Sequence, residues 1–246
     1  MAFLKYELNE KASLSIEDQQ QMYSLMDAVY QKISEEMFHA DLENKQFCGL
    51  LKDESGIIRG FTTYRILTYK TRRSSLVRIL FSGDTVIEPA YWGSQELVKG
   101  WCQTVGKFKN DYPNEPLYWY LMSKGHRTYM YLPLFFKKYH PAIYQKNEDL
   151  EEVADLVSKE LYPNCWNRNK GIIEFDESLG ELKTDYGAAS YNRSSNKYVE
   201  FFLEKNPGFH KGDELVCITE ICPENLRGLA RKSFKITYRQ EEAVNF

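Results

Sequence analysis

The sequence contains no apolar run approaching the roughly 18 residues that a membrane span requires. Its opening, MAFLKYELNEKASL, has neither a long apolar core nor a cleavage signal, so no secretory peptide is expected. It lacks an excess of positive charge: 32 Lys and Arg against 35 Asp and Glu give a formal net charge of −3. That argues against nucleic acid as the main partner, since no strong positive field gathers phosphates. The five cysteines, at 48, 102, 165, 217 and 222, are odd in number and scattered. They read as reduced thiols of a cytoplasmic protein and not as a disulfide framework. Cys217-x4-Cys222 with Cys165 and His210 lacks the paired spacing of structural zinc sites, so no metal is expected. A Gly-x-Ser-x-Gly elbow, a Walker loop and a His-Glu-x-x-His pair are all missing. No cysteine stands in a recognisable nucleophile setting.

What is present is a chain of 246 residues, 43% hydrophobic and 27% charged, with 15% aromatics. That is enough to bury a real core in one large domain, or in one domain with a substantial extension. A short strand is expected over Phe3 to Leu8. Ser15-Ile16-Glu17-Asp18 reads as a capping box, opening a helix with Met22, Leu25, Met26, Val29, Ile33 and Met37 on one face and an end near Phe38. His39 then falls in a polar connection through Lys45. Gln46 to Leu51 and Ile57 to Leu67 read as strands joined by a turn at Lys52–Gly56. A basic tip, Lys70-Thr71-Arg72-Arg73, follows; it reads as a solvated turn or as a docking point for an acidic carrier or phosphates.

The most informative stretch is Arg78 to Trp101. A strand over Val77 to Val86 is stopped by Pro89, which cannot donate to a ladder. Tyr91-Trp92-Gly93-Ser94-Gln95 makes a tight turn, and Leu97, Val98, Trp101 and Val105 mark a helix to about residue 108. Strand, glycine turn and helix N-terminus together form a frame in which unpaired backbone N–H groups converge. Leu117 to Met122 is a bulky strand of the kind covered on both faces. Ser123-Lys124-Gly125-His126-Arg127-Thr128-Tyr129 leaves it, and an aromatic helix is expected from Met130 to Tyr139, stopped by Pro141. Farther on, Glu148 to Leu161 is an acidic amphipathic helix capped by Asn147. Gly171 to Phe175 and Glu214 to Ile221 read as strands, Tyr198 to Glu204 as a helix, and Tyr191 to Asn196 as loop.

Ile87-Glu88-Pro89-Ala90-Tyr91-Trp92-Gly93 resembles the junction after the fourth strand in the GNAT superfamily of acyltransferases. That junction reads hydrophobic-x-Pro-x-Tyr-Arg-Gly and runs into a turn cradling the pyrophosphate of acyl-CoA. Trp92 stands where the family has Arg or Gln, and Gln95 and Leu97 stand where it has small residues. The resemblance implies a mixed α/β fold, a twisted, splayed sheet flanked by helices. It implies a core over residues 1–145 that binds the acyl donor. Residues 146–246 are then expected to be a C-terminal α+β elaboration packed on that core as acceptor-side surface. The implied donor is acyl-CoA or the pantetheine thioester of an acyl carrier protein, lying between the strands at 77–86 and 117–122. Thr85, Val86, Ile87, Trp92, Gly93, Ser94, Gln95 and Ser123 are its implied contacts.

Transfer of an acyl group to an amine needs a neutral nucleophile, an oxyanion stabiliser and a proton for the leaving thiolate. Asp84 is the carboxylate the resemblance sets beside the donor arm as general base, with a structural aspartate at the Gly83 turn as the alternative. Tyr129 is the implied thiolate acid, with Tyr131 and Tyr139 as rivals. His126 and His39 are further acid or base candidates. Phe-Ser-Gly-Asp-Thr at 81–85, Ser-Lys-Gly-His-Arg-Thr-Tyr at 123–129 and Asn-Pro-Gly-Phe-His-Lys-Gly-Asp-Glu-Leu at 206–215 resemble GNAT-like maturases. These fatty-acylate Lys or ornithine side chains of ribosomally made precursor peptides. Two other classes stay open: a GNAT-shaped binding protein without catalysis, and a thioester hydrolase or decarboxylase.

Overall fold

The computed structural model describes residues 3–71, 75–175, 181–182 and 196–238. The chain begins with β1 (Leu4–Glu10), α1 (Ile16–Val29), a two-residue strand β2 (Tyr30–Gln31) and α2 (Glu35–Glu43). Strands β3 (Phe47–Asp53), β4 (Ile58–Lys70) and β5 (Leu76–Ile87) follow. Next come α3 (Glu96–Asp111), β6 (Leu117–Ser123) and the short helices α4 (His126–Tyr129) and α5 (Tyr131–Phe135). Beyond them lie α6 (Glu148–Leu161), β7 (Trp166–Asn167), β8 (Ile172–Ile173), β9 (Glu181–Leu182), α7 (Lys197–Lys205), β10 (Glu214–Glu220) and α8 (Gly228–Thr237). Arg72, Arg73 and residues 191–195 of the expected tip and loop lie outside the described residues.

Among the described residues, eight strands form one sheet in the order β1-β3-β4-β5-β6-β10-β8-β7. β5 and β6 run parallel, joined by the crossover through α3, and the other pairs are antiparallel. The fold is therefore mixed α/β, as expected. β10, β8 and β7 come from beyond residue 145 and continue the same sheet.

Strand alternation divides the core between two faces. On one, Leu80, Leu117, Trp119, Leu215 and Cys217 pack against Val105 and Phe108 of α3 and Phe234 of α8. On the other, Ile79, Phe81, Tyr120, Val216 and Ile218 meet Leu150, Val153 and Val157 of α6. Farther along that second face, Leu50, Phe61 and Val86 meet Met22, Met26, Phe38 and Leu42 of α1 and α2.

Two helices differ from the sequence reading. The helix opened by the Ser15 capping box ends at Val29, not near Phe38. Tyr30 and Gln31 are extended and pair with Leu182 and Glu181, Lys32 takes φ +60°, and Ser34 caps a new helix through Met37 N–H at 3.1 Å. Strand pairing to a distant segment overrides an unbroken apolar period, and His39 sits within α2. The helix expected to Tyr139 ends at Phe135 because Asn225 holds the following backbone extended. The Lys137 N–H donates to the Asn225 carbonyl and the Lys138 N–H to its Oδ1, while Asn225 Nδ2 donates to the Lys138 carbonyl.

The α3 side is keyed by Tyr6. Its hydroxyl bonds those of Tyr64 (2.9 Å) and Thr104 (3.0 Å). A Cβ added at Gly49 would fall 2.2 Å from the Tyr6 hydroxyl, and one at Gly100 would fall 2.0 Å from its ring. Gly106 is matched in the same way to the Phe234 carbonyl of α8, 2.6 Å away.

An alanine in a solvent-facing helix stabilises by about 1 kcal/mol over glycine. Here Gly100→Ala is expected to destabilise by about 1–3 kcal/mol through overpacking, read as a lower urea midpoint. In a Tyr6→Ala background the same change is expected to be neutral or stabilising; equal losses in both backgrounds would show that Tyr6 is not the obstacle.

Candidate active site

The pairing of β5 with β6 runs from Arg78–Leu117 to Phe81–Tyr120 and stops there. β5 continues to Ile87 beside β4, and β6 continues to Ser123 beside β10, so a V-shaped opening separates the two parallel strands. At its apex the Trp119 indole donates to Ser82 Oγ at 2.9 Å. Just beyond, Thr62 pairs with Thr85 and Tyr64 with Ser82, which leaves Gly83 and Asp84 opposite the single residue Thr63. This is a β-bulge, which re-aims side chains and bends the strand.

The bulge turns Asp84 into a polar cluster on the α1–α2 face. Its charged neighbours are Asp41 on α2, Lys45 just after it, Lys124 at the end of β6 and Glu214 on β10. Lys45 Nζ bonds Asp41 at 2.7 Å and Lys124 reaches Glu214 at 3.5 Å. Burial, reinforced by the Asp41 charge, pushes the Asp84 carboxyl up to about 6. Burial raises Glu214 as well, and raises the Tyr30 phenol beside Asp84. A carboxyl titrating near neutrality inside a gap is suited to taking up and releasing a proton.

Thr85 bonds the Thr62 hydroxyl at 2.8 Å, on the opposite face. Val86 packs under α1 and α2, and Ile87 near Leu97. In the turn before α3, Gly93 takes φ +95° with open space around it, and Ser94 Oγ accepts the Glu96 N–H at 3.3 Å. Gln95 is the α3 N-cap residue, with no side-chain capping bond. Trp92 behaves differently. Its indole N–H donates to the Ile87 carbonyl at 2.9 Å, and the Arg127 guanidinium lies 4.3 Å over its ring, which links the turn to the segment after β6. Ser123 is buried and its hydroxyl donates to the Gly125 carbonyl.

Tyr129 is wholly buried on the α3 side, donating to the Pro141 carbonyl at 3.0 Å, and burial raises its phenol. His126 is buried at the start of α4. His39 stands 3.7 Å from Glu35 on an exposed part of α2. The charged groups that act most strongly on the Asp84 carboxyl are others. They are Asp41, Lys45, Lys124 and Glu214, which the sequence reading did not single out. The spacing of Asp41 and Lys45 was a visible signal, being that of an i,i+4 ion pair. Among the described residues, no three His, Cys, Asp or Glu side chains gather as a metal ligand set, and no helix is long and apolar enough to cross a membrane.

No protein-family model matches the sequence, and no curated protein matches it. Among solved structures, it is similar to a conserved protein of Enterococcus faecalis V583 titled a probable N-acyltransferase. That overlap has 10% identity over 56% of this chain and a TM-score of 0.42, and it spans only 33% of the Enterococcus chain. A GNAT family N-acetyltransferase from Escherichia coli, solved with CoA, overlaps at 11% identity over 50% of this chain and 66% of its own, TM-score 0.36. An acetyltransferase of Trypanosoma brucei overlaps at 19% identity over 59% of this chain and 99% of its own, TM-score 0.39.

The Asp84 shift carries a sign for stability. A carboxyl raised by folding favours the native state below its unfolded value, near 4, and that contribution is lost as pH rises through about 6. Asp84→Asn is therefore expected to gain on the wild type by on the order of 2 kcal/mol between about pH 4 and pH 7. Urea unfolding of both proteins across that range measures it; parallel stability curves would mean that Asp84 titrates as an ordinary carboxylate.

Proposed function

We propose that the protein is an N-acyltransferase that moves an acyl group from a pantetheine thioester to an amine. The observation that carries this reading is the bulged end of β5, which has left β6, where Asp84 stands with its carboxyl near 6. The donor arm, of acyl-CoA or of a carrier protein, runs along Thr85 to Ile87 toward Gly93, Ser94 and Gln95. The amine acceptor approaches from the α1–α2 side. Asp84 takes a proton from the acceptor ammonium, directly or through water. The neutral nitrogen attacks the thioester carbonyl and the C–N bond forms; the C–S bond then breaks, and the proton shed by the now cationic nitrogen passes to the leaving thiolate. His126, His39 and Tyr129 remain secondary assignments in this scheme.

The finer reading is a long-chain acyl donor and a Lys or ornithine side chain of a ribosomally made precursor peptide. It draws on the stretches at 81–85, 123–129 and 206–215 and on Glu214, by which the C-terminal part of the chain reaches the Asp84 cluster. Mass spectrometry of peptides encoded beside the gene tests it. A second reading, a GNAT-shaped binding protein without catalysis, is favoured by Trp92, whose indole occupies the Ile87 carbonyl while Arg127 covers its ring.

Free thiol released from a panel of acyl-CoAs, with and without amines, separates these readings. Amine-dependent release supports transfer, amine-independent release a hydrolase or decarboxylase, and no release the binding protein. Asp84→Asn is expected to keep donor affinity by calorimetry while single-turnover transfer falls roughly 10²–10⁴-fold. Near-normal turnover in a folded variant removes Asp84 from the mechanism. A bulky residue at Gly93 is expected to weaken donor binding by blocking backbone approach; unchanged affinity counts against the donor path.

A further inference from the structure

Lys45 is an unusual neighbour for a general base. It is buried, and its Nζ lies 5.4 Å from the centre of the Phe81 ring. It presses on the bulge so closely that a Cβ at Gly83 would fall 2.5 Å from Lys45 Cε and 3.0 Å from its Nζ. The same Cβ would fall 2.5 Å from the Thr63 hydroxyl, which is buried and has no hydrogen-bond partner. The missing side chain of Gly83 is thus the slot in which the lysine lies. Lys45 Nζ bonds Asp41, whose side chain is 47% exposed, and no bond joins it to Asp84. A buried ammonium beside an ionisable carboxylate attracts it strongly unless another anion already holds the ammonium.

We infer that Asp41 and Lys45 form a positioning pair for Asp84, in which Asp41 holds the Lys45 ammonium at the bulge and leaves the Asp84 carboxylate free to accept a proton. This deepens the acyltransferase reading and rests on it for its meaning, though not for its measurement. The groups facing Asp84 are of both signs. Asp41 on α2 and Glu214 on β10 raise it, while Lys45 after α2 and Lys124 after β6 lower it, and the Tyr30 phenol on β2 lies beside it. Lys45 bonds Asp41 and Lys124 reaches Glu214, so Asp84 stands beside both pairs and responds to a change in either half of the first.

The two halves of one ion pair then carry opposite signs. Losing Asp41 frees Lys45 to act on Asp84, which lowers the Asp84 pKa. Losing Lys45 removes an attracting cation and leaves Asp41 as an uncompensated anion, which raises it. A purely structural pair would lower stability in both variants and shift the titration in neither direction consistently. The test is a carbon-13 NMR titration of side-chain carboxyls in the full-length protein without substrate, with the Asp84 resonance assigned from its loss in Asp84→Asn.

Asp41→Asn is expected to lower the Asp84 midpoint by about one unit and Lys45→Met to raise it by about one unit or more. Shifts of the same sign, or none, overturn the inference. Should Lys45→Met fail to fold, Asp41→Asn decides alone, because its half of the pair is exposed; an unchanged or raised midpoint there overturns the inference. Opposite shifts in a protein that transfers no acyl group would leave the pair standing and sink the acyltransferase reading. Transfer with immobile midpoints would do the reverse.

Discussion

Everything distinctive about the site follows from one extra residue in β5. With Gly83 and Asp84 both opposite Thr63, the strand bends, its alternation resets, and its last residues leave β6. A regular strand would send Asp84 to the opposite face from Phe81, the face that carries Ser82 and the Thr62–Thr85 hydroxyl pair. The bulge sends it to the α1–α2 face, where lysines and carboxylates stand together. A glycine at the first bulge position leaves room for Lys45. A single local irregularity thereby sets the opening, the direction of the acid and the identity of its neighbours.

The rest of the molecule holds that irregularity in place. α3 crosses between the parallel strands and is pinned at two glycines, by the Tyr6 ring at Gly100 and by the backbone of α8 at Gly106. Thr237 adds a bond to the Gln103 carbonyl, and Asn110 one to the Thr237 carbonyl, both at 2.6 Å. A helix fixed this closely fixes the turn at its N-terminus. The opening is thus framed by rigid elements even though its two edges do not pair with each other.

Much of the architecture was legible in the sequence. The strands at 47–53, 58–70, 76–87 and 117–123, the helix after the Gly93 turn and the Asn147-capped helix follow from alternation, period and capping chemistry. What was not legible depends on distant partners. The stop after Val29 needs the pairing of Tyr30 with Leu182, and the stop after Phe135 needs Asn225. α8 was missed because its buried face is thin, with Ala230, Ser233 and Phe234 against a glycine slot. At the site, Asp84 was readable as an awkward charge in a strand. Its neighbours were not, because α2, β6 and β10 converge only in three dimensions, and no local pattern joins Asp41 to Glu214.

Among the described residues β10 is the last strand in sequence, yet it sits inside the sheet, between β6 and β8. On the ribosome the order of emergence is fixed, so β6 is exposed well before its neighbour exists. Until Glu220 has cleared the exit tunnel, the nascent chain carries a bare β6 edge rich in Tyr, Trp and Leu, the kind of surface that pairs with other chains. Synthesis thus passes through an interval of exposed pairing edge that ends when the chain docks β10.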